Sequence, residues 1–215
     1  MKTKLLSALL SLAAFAGSVC AAPLSTEISQ ARKVVERLIA EKRIPGFSIA
    51  VARAGRIVWS EGFGFANVEQ GVAVTPLTRF RLGSVSKVVT AAGLARLVEE
   101  GKIDLDAPVQ RYVPDFPRKQ WPITTRELAG HLAGIRHYTE QDFAVTLKGA
   151  PHYDSVSTSL GIFKNDPLLF EPGTKYSYSS YGWNLISAVM EGASGEDFLT
   201  YMQHAVFDPL GLRSI

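Results

Sequence analysis

The chain of 215 residues has a single cysteine, Cys20, so no intrachain disulfide can form. Any fold must therefore stand on its hydrophobic core alone. Its 4 histidines include no His-Glu-x-x-His pair. His131 and His137 are six residues apart, a poor spacing for one helix face, so no metal centre is expected. No Gly-x-x-x-x-Gly-Lys loop is present, which removes the usual phosphate cradle. Gly62-Phe63-Gly64-Phe65-Ala66-Asn67 lacks the third glycine of a dinucleotide fingerprint and follows a strand without opening a helix. No repeat, heptad pattern or block of like charge occurs. Net charge is only +3, so neither nucleic acid nor an anionic membrane is an expected partner.

Long apolar runs are also missing, with one exception at the N-terminus. Lys2 and Lys4 precede an apolar stretch from Leu5 to Phe15, and Val19-Cys20-Ala21 supplies small residues for cleavage. Residues 1–21 thus read as a secretory signal peptide, and the product as periplasmic or secreted, with no stable membrane span after cleavage. A lipoprotein signal on Cys20 is the rival, and Val19 fits it poorly. Cleavage takes away two lysines and no acid, so the charge falls from +3 to +1.

The remainder has the composition of a globular protein, 47% hydrophobic and 20% charged. Ile28, Ala31, Val34, Val35 and Leu38 recur at helical spacing over residues 27–42. Phe47 to Ala52 and Ile57 to Trp59 read as two strands of an antiparallel hairpin, turning through Gly55. Ser84 to Glu100 reads as a helix with so few charges that it should be buried all round, capped by Gly101. Prolines make residues 102–170 irregular, with a capping box at Thr124 to Glu127. Trp183 to Met190 and Asp197 to His204 read as further helices. Two strands alone make a marginal sheet.

Ser84-Val85-Ser86-Lys87 is the one Ser-x-x-Lys of the chain. Residues three apart share a helix face. Serine needs a neighbouring base to become a nucleophile, and a lysine whose ammonium form is disfavoured can serve. A helix N-terminus would also direct N–H groups at a developing oxyanion. The plain alternative is that Ser84 only caps the helix while Lys87 reaches to solvent. Tyr178, ahead of another helix, can relay a proton if it meets the lysine. Its plain alternative is an aromatic cluster with Tyr176, Tyr181 and Trp183.

Taken together, several ordered motifs resemble the serine β-lactamase-like family, which includes class C β-lactamases, penicillin-binding DD-peptidases and related esterases. They are Phe80 to Lys87, Gly101 to Val109, Glu171-Pro172-Gly173 and Tyr176 to Gly182. Tyr112 to Pro117 and His131 to Tyr138 are similar to the LACTB-type serine β-lactamase-like proteins. The resemblance implies an α/β fold of the α+β type, with an antiparallel sheet packed with helices and a mainly helical subdomain. It implies Ser84 as the acylated nucleophile, Lys87 as its base and Tyr178 as the proton-moving tyrosine. Ser180 falls where the family has an asparagine that helps hold substrate. It implies a small-molecule or peptide substrate, with an amide, peptide or ester bond, and no cofactor. No counterpart of the third motif, Lys-Thr-Gly or His-x-Gly, follows Ser180. Residues 22–215 are therefore expected to be the N-terminal part of a longer hydrolase domain, with the rest of the sheet missing. A binding module on the same scaffold, without catalysis, is the competing expectation.

Overall fold

A computed structural model describes residues 25–147, 153 and 155–213. The expected signal peptide, as well as His152, lies outside these residues. The chain divides into two compact units between Phe80 and Arg81.

The first unit holds α1 (Ser25–Lys42), β1 (Gly46–Arg53), β2 (Arg56–Asn67) and β3 (Val72–Ala73), in one antiparallel sheet of order β1-β2-β3. Arg53 pairs with Arg56 across a two-residue turn. Both turn residues, Ala54 and Gly55, have positive φ, as this tight right-twisting hairpin connection requires. The expected hairpin is therefore present, but β2 continues well beyond Trp59, and β3 was not foreseen. Helix α1 half-buries Ile28, Ala31, Val35 and Ile39, while Val34 and Leu38 point outward. A forked ion pair from Arg32 to Glu61 ties α1 to β2, and the Trp59 indole N–H donates to the same carboxylate at 2.7 Å.

The second unit is helical. Its elements are α2 (Ser86–Glu99), α3 (Thr125–Ala129), α4 (Glu140–Leu147), α5 (Val156–Ser159), α6 (Ser180–Ser194) and α7 (Phe198–Met202), which runs on into a π turn, Gln203–Phe207. Helix α6 is the central post. Leu185, Ile186, Val189 and Met190 on it are fully buried, against Leu97 of α2, Leu128 of α3 and Met202 of α7. Burying each such side chain is worth about 1.5–3 kcal/mol. Gly192 of α6 is also a contact residue, because a Cβ there would collide with the Tyr112 carbonyl.

Helix α2 departs from expectation. It buries Gly93, Leu94 and Leu97, whereas Val85 and Val88 are exposed. Its apolar sequence is thus covered along one face only. The Thr124 capping box is formed as expected, with the Thr124 side chain on the Glu127 N–H and the Glu127 carboxylate on the Thr124 N–H. Among the described residues, no helix is long and apolar enough to cross a membrane.

Candidate active site

Ser84 lies in a single 3₁₀ turn, Gly83–Val85, that runs directly into α2. It does not cap the helix: Val85 holds the N-cap position and no side chain caps it. Lys87 is one turn further on and half-buried. Its Nζ donates to Ser84 Oγ at 3.3 Å and to Ser180 Oγ at 3.1 Å. Tyr178 Oη donates to Ser84 Oγ at 2.6 Å. Lys87 Nζ also stands 4.9 Å from the Tyr178 ring centre, within cation–π range. All four residues expected from the sequence therefore meet, although 94 positions separate Ser84 from Tyr178.

The electrostatics follow from this geometry. The hydrogen bonds that Lys87 and Ser84 can donate to the deprotonated oxygen, joined by the lysine's charge, favour the phenolate and hold the Tyr178 hydroxyl below its ordinary value. A cavity of about 280 Å³ opens beside the cluster, lined in part by Gly83, Ser86, Lys87, Ser180 and Trp183. A larger cavity of about 520 Å³, lined by Tyr112, Asp115, Glu191 and Asp197 among others, contains none of the four. Among the described residues, no group of three or more His, Cys, Asp or Glu is placed to hold a metal.

Ser179, which the sequence did not single out, fixes the second half of the site. It is the N-cap of α6, and its Oγ accepts from the Gly182 N–H at 2.9 Å. The same Oγ donates to the Arg136 carbonyl at 2.8 Å. Tyr178 and Ser180 therefore flank a buried capping serine, and α6 begins three residues earlier than its apolar pattern implies.

His131 and His137 were also missed. They are neighbours of Tyr178, with ring centres 4.5 Å and 5.3 Å from it. His131 Nδ1 accepts from the Ser179 N–H, and His137 Nδ1 from the Ser180 N–H, both at 3.1 Å. The aromatic cluster anticipated around Tyr178 is organised on His131, whose ring also faces Tyr176 and Trp183. Tyr181 instead stacks on Phe163. The backbone between the histidines turns at Gly134, where φ is +71° and a Cβ would lie 2.6 Å from the Phe170 carbonyl oxygen. Only glycine suits that position.

Comparison with known proteins places this geometry in a lineage. Residues 31–215 match the family model described as Beta-lactamase. The chain is 33% identical to the human mitochondrial serine beta-lactamase-like protein LACTB, over 88% of this chain and 46% of that protein. It is also 33% identical to esterase EstB of Burkholderia gladioli, over 84% and 49%. Among solved structures, the octameric penicillin-binding protein homologue from Pyrococcus abyssi superposes with a TM-score of 0.78 at 27% identity, covering 87% of this chain and 44% of that one. EstCE1, a hydrolase with promiscuous acyltransferase activity, gives 0.77 at 30% identity, covering 88% and 52%. The chain spans about half the length of these relatives. Both its matching sequence and its α/β architecture make this chain a member of the beta-lactamase family.

Proposed function

We propose that this protein is a serine hydrolase that cleaves an ester, amide or peptide bond through an acyl-enzyme on Ser84. The observation that carries the reading is the convergence of Lys87 Nζ and Tyr178 Oη on Ser84 Oγ. Ser84 Oγ attacks the substrate carbonyl carbon as its proton passes to the Lys87–Tyr178 pair. In its phenolate form Tyr178 accepts that proton across the 2.6 Å contact, and the Lys87 ammonium stabilises the phenolate. The pair then returns a proton to the leaving group. Water gives a proton to the same pair as it attacks the acyl carbon; the Ser84 Oγ–carbon bond then breaks, and the pair returns that proton to Ser84 Oγ. Positioned proton transfer of this kind contributes about 10²–10⁴-fold. The start of α2, with its partial positive charge, supports the negative oxygen that develops.

Ser180 would take the substrate-holding position beside Lys87. A hydroxyl replaces the amide implied there by resemblance, which favours esters or peptides over efficient β-lactam turnover. Relatives named as an esterase and as a hydrolase with acyltransferase activity support the ester reading. Export by way of residues 1–21, with residues 22–215 as part of the hydrolase domain, completes the proposal. The human relative is named as mitochondrial, so the compartment is to be tested by locating the mature N-terminus. Hydrolysis of short-chain aryl esters should vanish in Ser84→Ala. Turnover unchanged by that substitution would overturn the reading and favour a binding module.

A further inference from the structure

Resting on that reading, we propose that His131 and His137 are positioning residues for Tyr178. They form a pair of neutral imidazoles whose protonation releases the tyrosine from Ser84 and so sets the acid limit of the reaction. The warrant is the direction of two hydrogen bonds. Each Nδ1 accepts a backbone N–H, so each must present a lone pair there and carry its single proton on Nε2. An imidazolium has a donor at both nitrogens. Protonation would set donor against donor at 3.1 Å, at Ser179 and at Ser180. These are the two residues that follow Tyr178 and begin α6.

His131 is held firmly enough to act as such a support. It adopts φ +60°, a conformation uncommon outside glycine. Three bonds fix it there: its N–H donates to the Leu128 carbonyl, its carbonyl accepts from the Ser177 N–H, and its ring accepts from Ser179. The ring lies over Tyr178 at an interplanar angle of 37°, while that of His137 meets the tyrosine edge-on at 84°. Between them they leave the Tyr178 ring little freedom to swing off Ser84.

The charged and titratable groups around the pair act in one direction. Lys87 of α2 repels a proton on either ring, and His137 opposes a proton on His131. Tyr176 and Tyr178 face His131, and Tyr138 packs on His137 at 3.7 Å. Arg136, between them in sequence, is occupied by Asp142 and Asp166. Burial first, and then the Lys87 charge, holds both imidazoles below their ordinary value of about 6.5. The pair is therefore neutral at neutral pH and charges only in acid.

The test combines nitrogen-15 NMR with labelling of Ser84 by a fluorophosphonate probe, from pH 8 to pH 4. The Ser179 amide should move with the His131 titration, and the Ser180 amide with that of His137. The labelling rate should fall through the same midpoints. His131→Asn with His137→Asn is the diagnostic variant, because asparagine keeps an acceptor near Nδ1, tolerates positive φ and does not titrate. It removes both rings that flank Tyr178, so it should label more slowly than the parent at pH 8, but it should lose the histidine-dependent step, its rate staying flat where the parent's falls in acid. His137→Leu, lacking the acceptor, should label at least about 10-fold more slowly at every pH. The inference is overturned if the two amides ignore the imidazole titrations, or if the double asparagine variant keeps the parent's acid step. Absence of labelling at every pH would instead sink the Ser84 reading, and the amide titrations would still decide whether the histidines support this segment.

Discussion

Replacing Ser179 by alanine separates the roles of cap and anchor in the second half of the site. The serine is buried, at 3% exposure, and its one hydroxyl group serves two backbone groups. Losing the bond from the Gly182 N–H removes an N-cap, worth about 1 kcal/mol. Losing the bond to the half-buried Arg136 carbonyl leaves that acceptor without this partner, at about 1–3 kcal/mol. Together they amount to about 2–4 kcal/mol, or roughly 5–15 °C in melting temperature for a domain of this size. Ser155 supplies the control. It caps α5 by accepting from the Thr158 N–H at 3.2 Å, but this bond is exposed. Ser155→Ala should therefore cost at most about 1 kcal/mol. Urea unfolding followed by far-ultraviolet circular dichroism reads both as shifts in midpoint at constant slope. Equal losses at the two positions would refute the claim that Ser179 anchors as well as caps.

Three other substitutions follow from the same packing and charge. Gly192→Ala should destabilise by about 2 kcal/mol or more, because its new methyl meets the rigid Tyr112 carbonyl. Gly93→Ala should cost clearly less, since it meets the flexible tips of Met202 and Met190 and gains helix propensity. Thermal melts that rank the two the other way would contradict this packing. The Thr139 N–H, with Arg136, holds the Asp142 carboxyl at about 2, below the ordinary 3.8. A depressed carboxyl contributes stability that is present above its unfolded value and lost as pH falls through its folded one. Asp142→Asn should therefore lower stability at pH 7, by roughly 1–2 kcal/mol after screening, and the gap should close between about pH 4 and pH 2. A gap that stays constant over that range would show that the carboxylate's charge is not what matters.

Much of this site was legible in the sequence because its chemistry is carried by short patterns. Ser84 and Lys87 lie three apart, in a 3₁₀ turn and the first turn of α2 that follows it, so local spacing alone pairs them. Tyr178 and Ser180 required the family resemblance, since no local pattern brings a residue across 94 positions. The histidines escaped for a physical reason. Their spacing of six fits no metal site on one helix face, and the resemblance of the segment His131 to Tyr138 assigns neither a role, whereas they act from a turn at Gly134 on a backbone more than 40 residues away. The useful signal was two histidines bracketing a glycine turn ahead of the tyrosine motif. Ser179 was hidden because the apolar pattern of α6 becomes obvious only at Trp183, whereas the helix starts at Ser180. Helix α2 misled in the opposite sense. Hydropathy records how apolar a helix is but not which face the described residues cover, and among them Val88 is exposed. Strand β3, two residues long, is too short for alternation to reveal.

The central claim is that Ser84 is an activated nucleophile, and covalent labelling with peptide mapping tests it most directly. The folded chain is incubated with a fluorophosphonate and, in parallel, with a fluorescent penicillin, then digested and analysed by mass spectrometry. The account predicts a single adduct on the peptide that carries Ser84, absent in Ser84→Ala and formed about 10²–10⁴ times more slowly in Tyr178→Phe. A folded chain that gives no adduct with either probe, or one labelled equally well after Ser84→Ala, would contradict it.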